Sequence, residues 1–128
     1  MKKIIITLLA LGALAACNSG GSSPYSFNIT SISPPTSPSI VTNTSFTATF
    51  NNNVNASTLN GNVTLYNRAA QQYVTITCTT PNASSATCTP AARLLTNTGY
   101  TLTFTSGVQS TTGVSLSTSA YSYTTGNQ

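Results

Sequence analysis

The sequence predicts an all-β domain built as a two-sheet sandwich, and three observations lead to this prediction. Hydrophobic residues make up 39% of the 128 residues and charged residues only 3%, a balance that favours an ordered chain over a disordered one. Threonine, valine, isoleucine and tyrosine are frequent, and these residue types favour strands. Short alternating apolar segments recur with turn-forming residues between them, which is the pattern of about seven short strands in a sandwich.

The first 16 residues are predicted to be a signal peptide rather than part of this domain. A basic start, Met1-Lys2-Lys3, precedes an apolar run from Ile4 to Ala16. Spanning a bilayer takes about 20 apolar residues, so this run is too short to be a permanent anchor. A short apolar segment that ends in small residues is typical of a secretory signal.

The segment ends in Leu14-Ala15-Ala16-Cys17, which resembles the lipobox of bacterial lipoproteins. The resemblance implies that Cys17 is lipidated, becomes the new N-terminus and attaches the protein to a membrane. Residues 17–24 are rich in glycine and serine and are therefore expected to be a flexible tether. Asn18 after the cysteine resembles the outer-membrane sorting class of Gram-negative lipoproteins. The alternative is an ordinary signal peptide with a chance cysteine.

Seven strands are expected in the domain, residues 25–128. They cover residues 25–32, 45–50, 63–66, 73–78, 86–89, 100–104 and 120–125. Residues 54–62 are expected to form a loop or a single helical turn that starts at Asn55, and Leu94 and Leu95 are expected in the core. Uncharged outer faces leave the edge strands without the usual protective lysine and glutamate, so self-association along an edge is a further hypothesis.

The composition excludes most kinds of catalytic site. The chain contains no Asp, Glu or His, so carboxylate or imidazole acid–base catalysis and carboxylate- or histidine-based metal sites cannot be built. We therefore expect no enzyme, no metal and no cofactor. Two of the four basic residues, Lys2 and Lys3, lie in the predicted signal peptide. Arg68 and Arg93 remain, and two isolated arginines are too few for binding nucleic acid.

The three cysteines divide into one lipidation site and one pair. If Cys17 is lipidated, Cys78 and Cys88 remain, and they flank a turn between two strands that are predicted to be neighbours. Exported proteins fold in an oxidising compartment, so we expect a disulfide between Cys78 and Cys88. The alternative is a redox or metal pair, but the spacing does not match CxxC and two thiolates alone make a poor zinc site.

An ordered set of motifs between residues 29 and 125 resembles the bacterial Ig-like domain of the SbsA type, found in surface-layer and other cell-surface proteins. The matching segments are Ile32-Ser33-Pro34-Pro35, Thr44 to Phe50, Val54 to Leu59, Cys88-Thr89-Pro90, Thr98 to Phe104 and Tyr121 to Thr125. The resemblance implies an Ig-like sandwich that acts as a structural or adhesive module of the cell envelope. Two departures are the Asn-rich loop at 51–55 and the Ser/Thr loop at 110–113, where the family usually has acidic residues.

Two other functions remain open, namely a carbohydrate-binding module and an accessory subunit of an envelope complex. Expected partners are accordingly the membrane, through Cys17, and other envelope proteins or glycans, but not nucleic acid. The six tyrosines could stack sugars if several were exposed together, although alternating aromatic residues are more often core. Tyr100, at the start of its strand, resembles a tyrosine corner.

Overall fold

A computed structural model describes residues 26–36 and 39–128, which form two four-stranded antiparallel sheets. The predicted all-β, Ig-like sandwich is confirmed, with eight strands instead of seven. The predicted signal peptide (1–16), Cys17, the tether (17–24) and Tyr25 lie outside the described residues. Within the described residues, no helix is both long and apolar enough to cross a membrane.

Consecutive strands pair two by two within a sheet. Their bounds are β1 Ile29–Ser33, β2 Phe46–Phe50, β3 Val63–Asn67, β4 Gln72–Val74, β5 Ile76–Asn82, β6 Ser85–Pro90, β7 Gly99–Phe104 and β8 Ser119–Thr124. One sheet has the order β1-β2-β6-β5 and the other β4-β3-β7-β8, and the chain passes to the other sheet after β2, β4 and β6. The expected helical turn is present as a 3-10 helix, Ala56–Thr58, and the Asn55 side chain accepts a hydrogen bond from the Ser57 N–H at its start.

The eighth strand arises because the segment predicted as one strand, 73–78, divides at Thr75. Val74 pairs with Leu65 in one sheet, and Ile76 pairs with Pro90 in the other. Side chains at 74, 76 and 78 all face the core, so the alternation continues through the change of sheet. Alternation reports which way side chains point and not which strand is the hydrogen-bonding neighbour. The prediction of a single strand here was therefore wrong.

The core lies between the sheets and is rich in aromatic residues. β2, β3 and β7 bury every second residue, as the alternating sequence predicts. Rings from opposite sheets meet in two places, where Phe46 lies 5.0 Å from Tyr123 and Phe50 lies 6.4 Å from Phe104, centroid to centroid. Such contacts contribute beyond the apolar area that they bury and fix how the two sheets pack.

Two expectations about individual positions need correction. Leu94 is buried, but Leu95 is 60% exposed, so only one of the two leucines belongs to the core. The first strand begins at Ile29 and not at residue 25, and Phe27 enters the core through an isolated bridge to Leu116. The Leu95 backbone is held by its N–H, which donates to the Tyr100 hydroxyl at 2.9 Å, and in this position the Leu95 side chain faces solvent. This bond has the geometry of the predicted tyrosine corner.

Three of the four edge strands, β1, β4 and β5, are protected by short length or backbone irregularity and not by charge, while β8 is a regular six-residue edge strand. β1 and β5 each contain a register shift, and Pro81 lies in β5. β4 has only three residues. On the outer side of β5, Asn60 Oδ1 accepts from the Cys78 N–H at 3.1 Å, so a side-chain amide takes the place of a neighbouring strand. Bulges, proline and short strands are known ways to prevent edge pairing, so the hypothesis of self-association along an edge is left to β8.

Candidate functional site

The candidate site lies on the outer face of the β4-β3-β7-β8 sheet. Tyr73 of β4 lies directly opposite Tyr66 of β3, which in turn lies opposite Thr101 of β7. One step along the strands, Thr64 lies opposite Thr103. The alternation that buries Val63, Leu65 and Asn67 on the inner side thus directs threonine and tyrosine outwards.

Tyr66 and Tyr73 form the exposed aromatic pair of this face. Their ring centroids lie 5.0 Å apart, and the ring planes are inclined at 66°. Tyr73 is 72% exposed, while Tyr66 is half-buried. The pair is edge-to-face, so it does not form a coplanar platform. Of the two side chains, Tyr73 is the one that is mostly exposed to solvent.

The other tyrosines of the described residues belong to the interior. Tyr100 and Tyr123 are each only 1% exposed. Tyr121 is half-buried, with its ring edge-to-face against Phe104 at 6.4 Å. The expectation that alternating tyrosines are mostly core is therefore confirmed for these three, and among the described tyrosines only Tyr66 and Tyr73 remain for the carbohydrate alternative.

Arg68 follows β3 and holds its guanidinium against the same face. Nη1 donates to Thr101 Oγ1 at 3.2 Å, and Nη2 donates to the Tyr123 carbonyl at 3.4 Å. The guanidinium passes over Gly99, where any side chain would collide with Arg68 Nη2. Glycine at the start of β7 thus makes room for the arginine.

Together these side chains surround a shallow depression of about 460 Å³. It is lined by Thr64, Tyr66, Arg68, Tyr73, Thr101 and Thr103. The aromatic rings stand on the β4–β3 side, and the short threonines lie on β3 and β7. The two tyrosine rings therefore form an apolar side of the depression, the threonine hydroxyl groups form its base, and the Arg68 guanidinium supplies a positive charge.

The turn that positions Tyr73 is held by one buried amide. Asn67 Oδ1 accepts hydrogen bonds from the N–H groups of Ala69 at 2.9 Å and Ala70 at 3.0 Å. Gln71 completes the turn with φ 56°, a left-handed conformation uncommon for residues other than glycine. Because the turn is short and bonded in this way, β4 returns in register and places Tyr73 beside Tyr66.

The predicted disulfide between Cys78 and Cys88 is present. The two residues face each other directly in the β5–β6 register, and both side chains are buried. Within the described ranges, no group of three potential metal ligands comes together. The cysteine pair is thus a structural cross-link within one sheet.

The outer face of the other sheet carries hydroxyl groups that bond to one another. Thr47 and Thr87 are linked through their Oγ1 atoms at 3.0 Å, and Ser45 is linked to Thr89 at 3.0 Å. We call these two bonds the hydroxyl ladder. The first joins β2 to β6 and the second joins Ser45, the residue just before β2, to β6, so the polar side chains of this face contribute to strand pairing.

Sequence reasoning missed Arg68 as a site residue, because an isolated arginine carries no motif. Its position in the sequence could have indicated that it faces outwards. Arg68 stands two residues after Tyr66 and so continues the outward-facing positions of β3. The opposing Thr101 and the contact with Gly99 come from β7, which is distant in sequence. Only the fold brings them together.

Comparison with known proteins finds a matching domain family and solved structures with a similar fold. Residues 25–125 match the model of a bacterial Ig-like domain. The N-terminal part of the bacterial S-layer protein SbsC is similar, with 21% identity, a TM-score of 0.61 and coverage of 80% of this chain and 24% of that chain. Domains 1–6 of SbsC give 21% identity and a TM-score of 0.62, with coverage of 82% of this chain and 14% of that chain.

The chain spans less than a quarter of the length of either SbsC structure. At this level of identity the likeness shows the fold alone. No curated protein matches significantly.

Proposed function

Because this chain belongs to the bacterial Ig-like domain family, we propose that it is an envelope lipoprotein whose single Ig-like domain is a structural or adhesive module. The observation that carries the proposal is the sequence Leu14-Ala15-Ala16-Cys17, which ends a short apolar segment just before the domain. A lipid on Cys17 would hold the sandwich close to a membrane through residues 17–24. The domain itself would supply the contacts with other envelope components.

The energetics of anchoring require more than one acyl chain. Each buried CH₂ contributes roughly 0.8 kcal/mol, and a single chain gives only marginal, reversible attachment. A diacylglycerol on the Cys17 sulfur, with or without an added N-acyl chain, meets this requirement. Seven linker residues after Cys17 would extend on average about 15 Å, so the domain would lie near the membrane surface.

A binding role fits the chemistry of the chain better than catalysis. The sequence has no Asp, Glu or His, and the disulfide occupies Cys78 and Cys88. General acid–base catalysis most often uses His, Asp or Glu, and a serine or threonine nucleophile needs a neighbouring base to activate it. A rigid, cross-linked sandwich with polar outer faces is instead suited to holding or spacing partners.

The proposal is tested by substituting Cys17→Ser in the full chain expressed in a bacterial host. We expect the wild type in the membrane fraction, labelled by an alkyne analogue of palmitate, and the variant in the soluble fraction or unprocessed and unlabelled. Cys78→Ala/Cys88→Ala is the matched control, because it removes two cysteines and should keep both the label and the membrane location. A labelled, membrane-bound Cys17→Ser protein would contradict the proposal.

Outer-membrane location is the finer part of the proposal and rests on Asn18. In a Gram-negative host, Asn18→Asp should move the lipidated protein to the inner-membrane fraction, while Asn18→Ser should leave it in the outer membrane. The measurement is sucrose-gradient separation of the two membranes. If the two variants divide equally between the inner and outer membranes, residue 18 does not determine sorting. The proposal that Cys17 is lipidated would not be affected by that result.

A further inference from the structure

We propose that the depression beside Tyr73 and Arg68 binds an acidic saccharide, with a sugar ring stacked on Tyr73 and the sugar carboxylate paired with Arg68. This proposal does not rest on lipidation of Cys17. It concerns the outer face of the β4-β3-β7-β8 sheet, on the side opposite the core. Three features of that face carry it.

The first feature is the exposed ring of Tyr73. An aromatic side chain that is 72% exposed gains little from the fold, whereas its flat apolar face can cover the C–H face of a sugar ring. The Tyr66 ring contacts the Tyr73 ring in an edge-to-face arrangement, with the two centroids 5.0 Å apart. This contact restricts the Tyr73 ring on one side, and such restriction lowers the entropic cost of binding.

The second feature is the charge of Arg68. Its guanidinium is held by Thr101 Oγ1 and the Tyr123 carbonyl, and a guanidinium has five N–H donors in a fixed plane. The chain contains no Asp or Glu, so no side-chain carboxylate of this protein can pair with it. A ligand carboxylate can take up remaining donors in charge-assisted hydrogen bonds. Charge complementarity therefore favours an acidic ligand over a neutral one.

The third feature is the floor of threonines. Thr64, Thr101 and Thr103 are short, and with the aromatic wall they leave a depression of about 460 Å³. Each threonine hydroxyl has one donor and two acceptor positions, the same inventory as a sugar hydroxyl. An apolar wall, a hydroxyl floor and a single cation match the three surfaces of a uronic acid unit.

Other anionic ligands fit this face less well. Nucleic acids and polyphosphates need one cation for each neutralised phosphate. Arg93, the other arginine of the described residues, donates to Thr42 and lines no part of this depression. A single carboxylate next to an apolar ring face is the ligand chemistry that these residues complement.

The test is titration of the purified full-length protein with short oligogalacturonate, followed by isothermal calorimetry and by NMR of the tyrosine ring protons. We expect saturable binding that weakens as salt is raised, since the ion pair is exposed to solvent. A neutral galacto-oligosaccharide of the same length should bind about tenfold more weakly, because it cannot make the charge-assisted bonds. Galacturonate binding that is unaffected by salt and equalled by the neutral sugar would overturn the proposal.

Variants separate the two contacts from general effects on the fold. Arg68→Gln and Tyr73→Ala should each reduce affinity by about tenfold, while Arg68→Lys should retain part of it. The matched controls are Arg93→Gln and Leu95→Ala, a second arginine and a second exposed apolar residue, and both should bind as the wild type does. Undiminished binding by Arg68→Gln or Tyr73→Ala, or equal loss in the controls, would overturn the proposal. The Cys17→Ser variant should bind the saccharide as the wild type does. The saccharide proposal and the lipidation proposal can therefore be disproved independently of each other.

Discussion

The Tyr123 hydroxyl donates a hydrogen bond of 2.8 Å to the Pro34 carbonyl, joining the last strand of one sheet to the chain that leaves the first strand of the other. The Tyr123 ring is 1% exposed and packs on Phe46. Burial, with a smaller contribution from neighbouring Tyr121, raises the pKa of Tyr123 from 10.0 to about 12. The neutral phenol is therefore part of the folded state.

The raised pKa predicts a loss of stability in alkali. Because the pKa of Tyr123 is higher in the folded state, its neutral phenol contributes its full stabilisation below the unfolded-state pKa of 10.0. That stabilisation is lost as the pH rises through the folded-state pKa of about 12. We expect the free energy of unfolding to fall by about 2–3 kcal/mol over that interval. Urea unfolding at a series of pH values measures it.

Tyr123→Phe is the control for this titration. It should cost about 1 kcal/mol at neutral pH through the lost hydrogen bond, and it should remove the part of the alkaline decline that Tyr123 causes. An alkaline decline of the same size in Tyr123→Phe would show that another group is responsible.

Removing the tyrosine-corner hydroxyl should destabilise the domain. In Tyr100→Phe the Leu95 N–H loses the acceptor that lies 2.9 Å away, and we expect a loss of about 1–2 kcal/mol in urea unfolding. Tyr73→Phe removes the same atom from an exposed ring and should change stability by less than about 0.5 kcal/mol. Equal effects of the two substitutions would contradict a structural role for the corner.

The disulfide should contribute to stability even though it lies within one sheet. Cys78 and Cys88 are ten residues apart, and closing a loop of about this size stabilises by about 2.5–3 kcal/mol in the chain-entropy model. The wild type should therefore be less stable by this amount when unfolded in the presence of a reductant. Cys78→Ala/Cys88→Ala should be insensitive to reductant, and a wild type that is equally insensitive would exclude the contribution.

The turn between β3 and β4 should depend on Asn67. Asn67→Ala leaves the Ala69 and Ala70 N–H groups without their acceptor, and we expect a loss of about 1–2 kcal/mol. Amide exchange in β4 should accelerate more than exchange in β7. Asn52→Ala is a suitable control, because Asn52 accepts from a single exposed N–H, that of Asn53, in another loop. Uniform acceleration across both sheets would indicate global destabilisation instead.

Most of the fold could be predicted because alternation and turn residues are local signals. β2 and β7 appear in the sequence as strict alternation, and the Cys78–Cys88 pairing follows from two neighbouring strands around one turn. The change of sheet at Thr75 could not be predicted, because alternation is the same on both sides of it. Leu95 could not be placed either, since its direction is set by a backbone hydrogen bond to Tyr100.

The candidate site was predictable only in part. Exposed tyrosines were considered as sugar-binding residues, but which of them are exposed depends on strand direction and on neighbours from distant segments. Tyr100 and Tyr123 alternate just as Tyr66 and Tyr73 do, and the two pairs differ because one faces the opposing sheet and the other faces solvent. Arg68 joins the site through β7, a strand more than 30 residues later in the chain.

The hydroxyl ladder bears on the conditions in which such a domain can work. Thr47–Thr87 and Ser45–Thr89 link neighbouring strands through neutral groups, where many proteins use charged pairs. Neutral hydroxyls have no counter-ions to be screened and no protons to lose near neutrality. The same contacts between neighbouring strands should therefore persist when the salt concentration changes or when the pH moves a few units from neutrality.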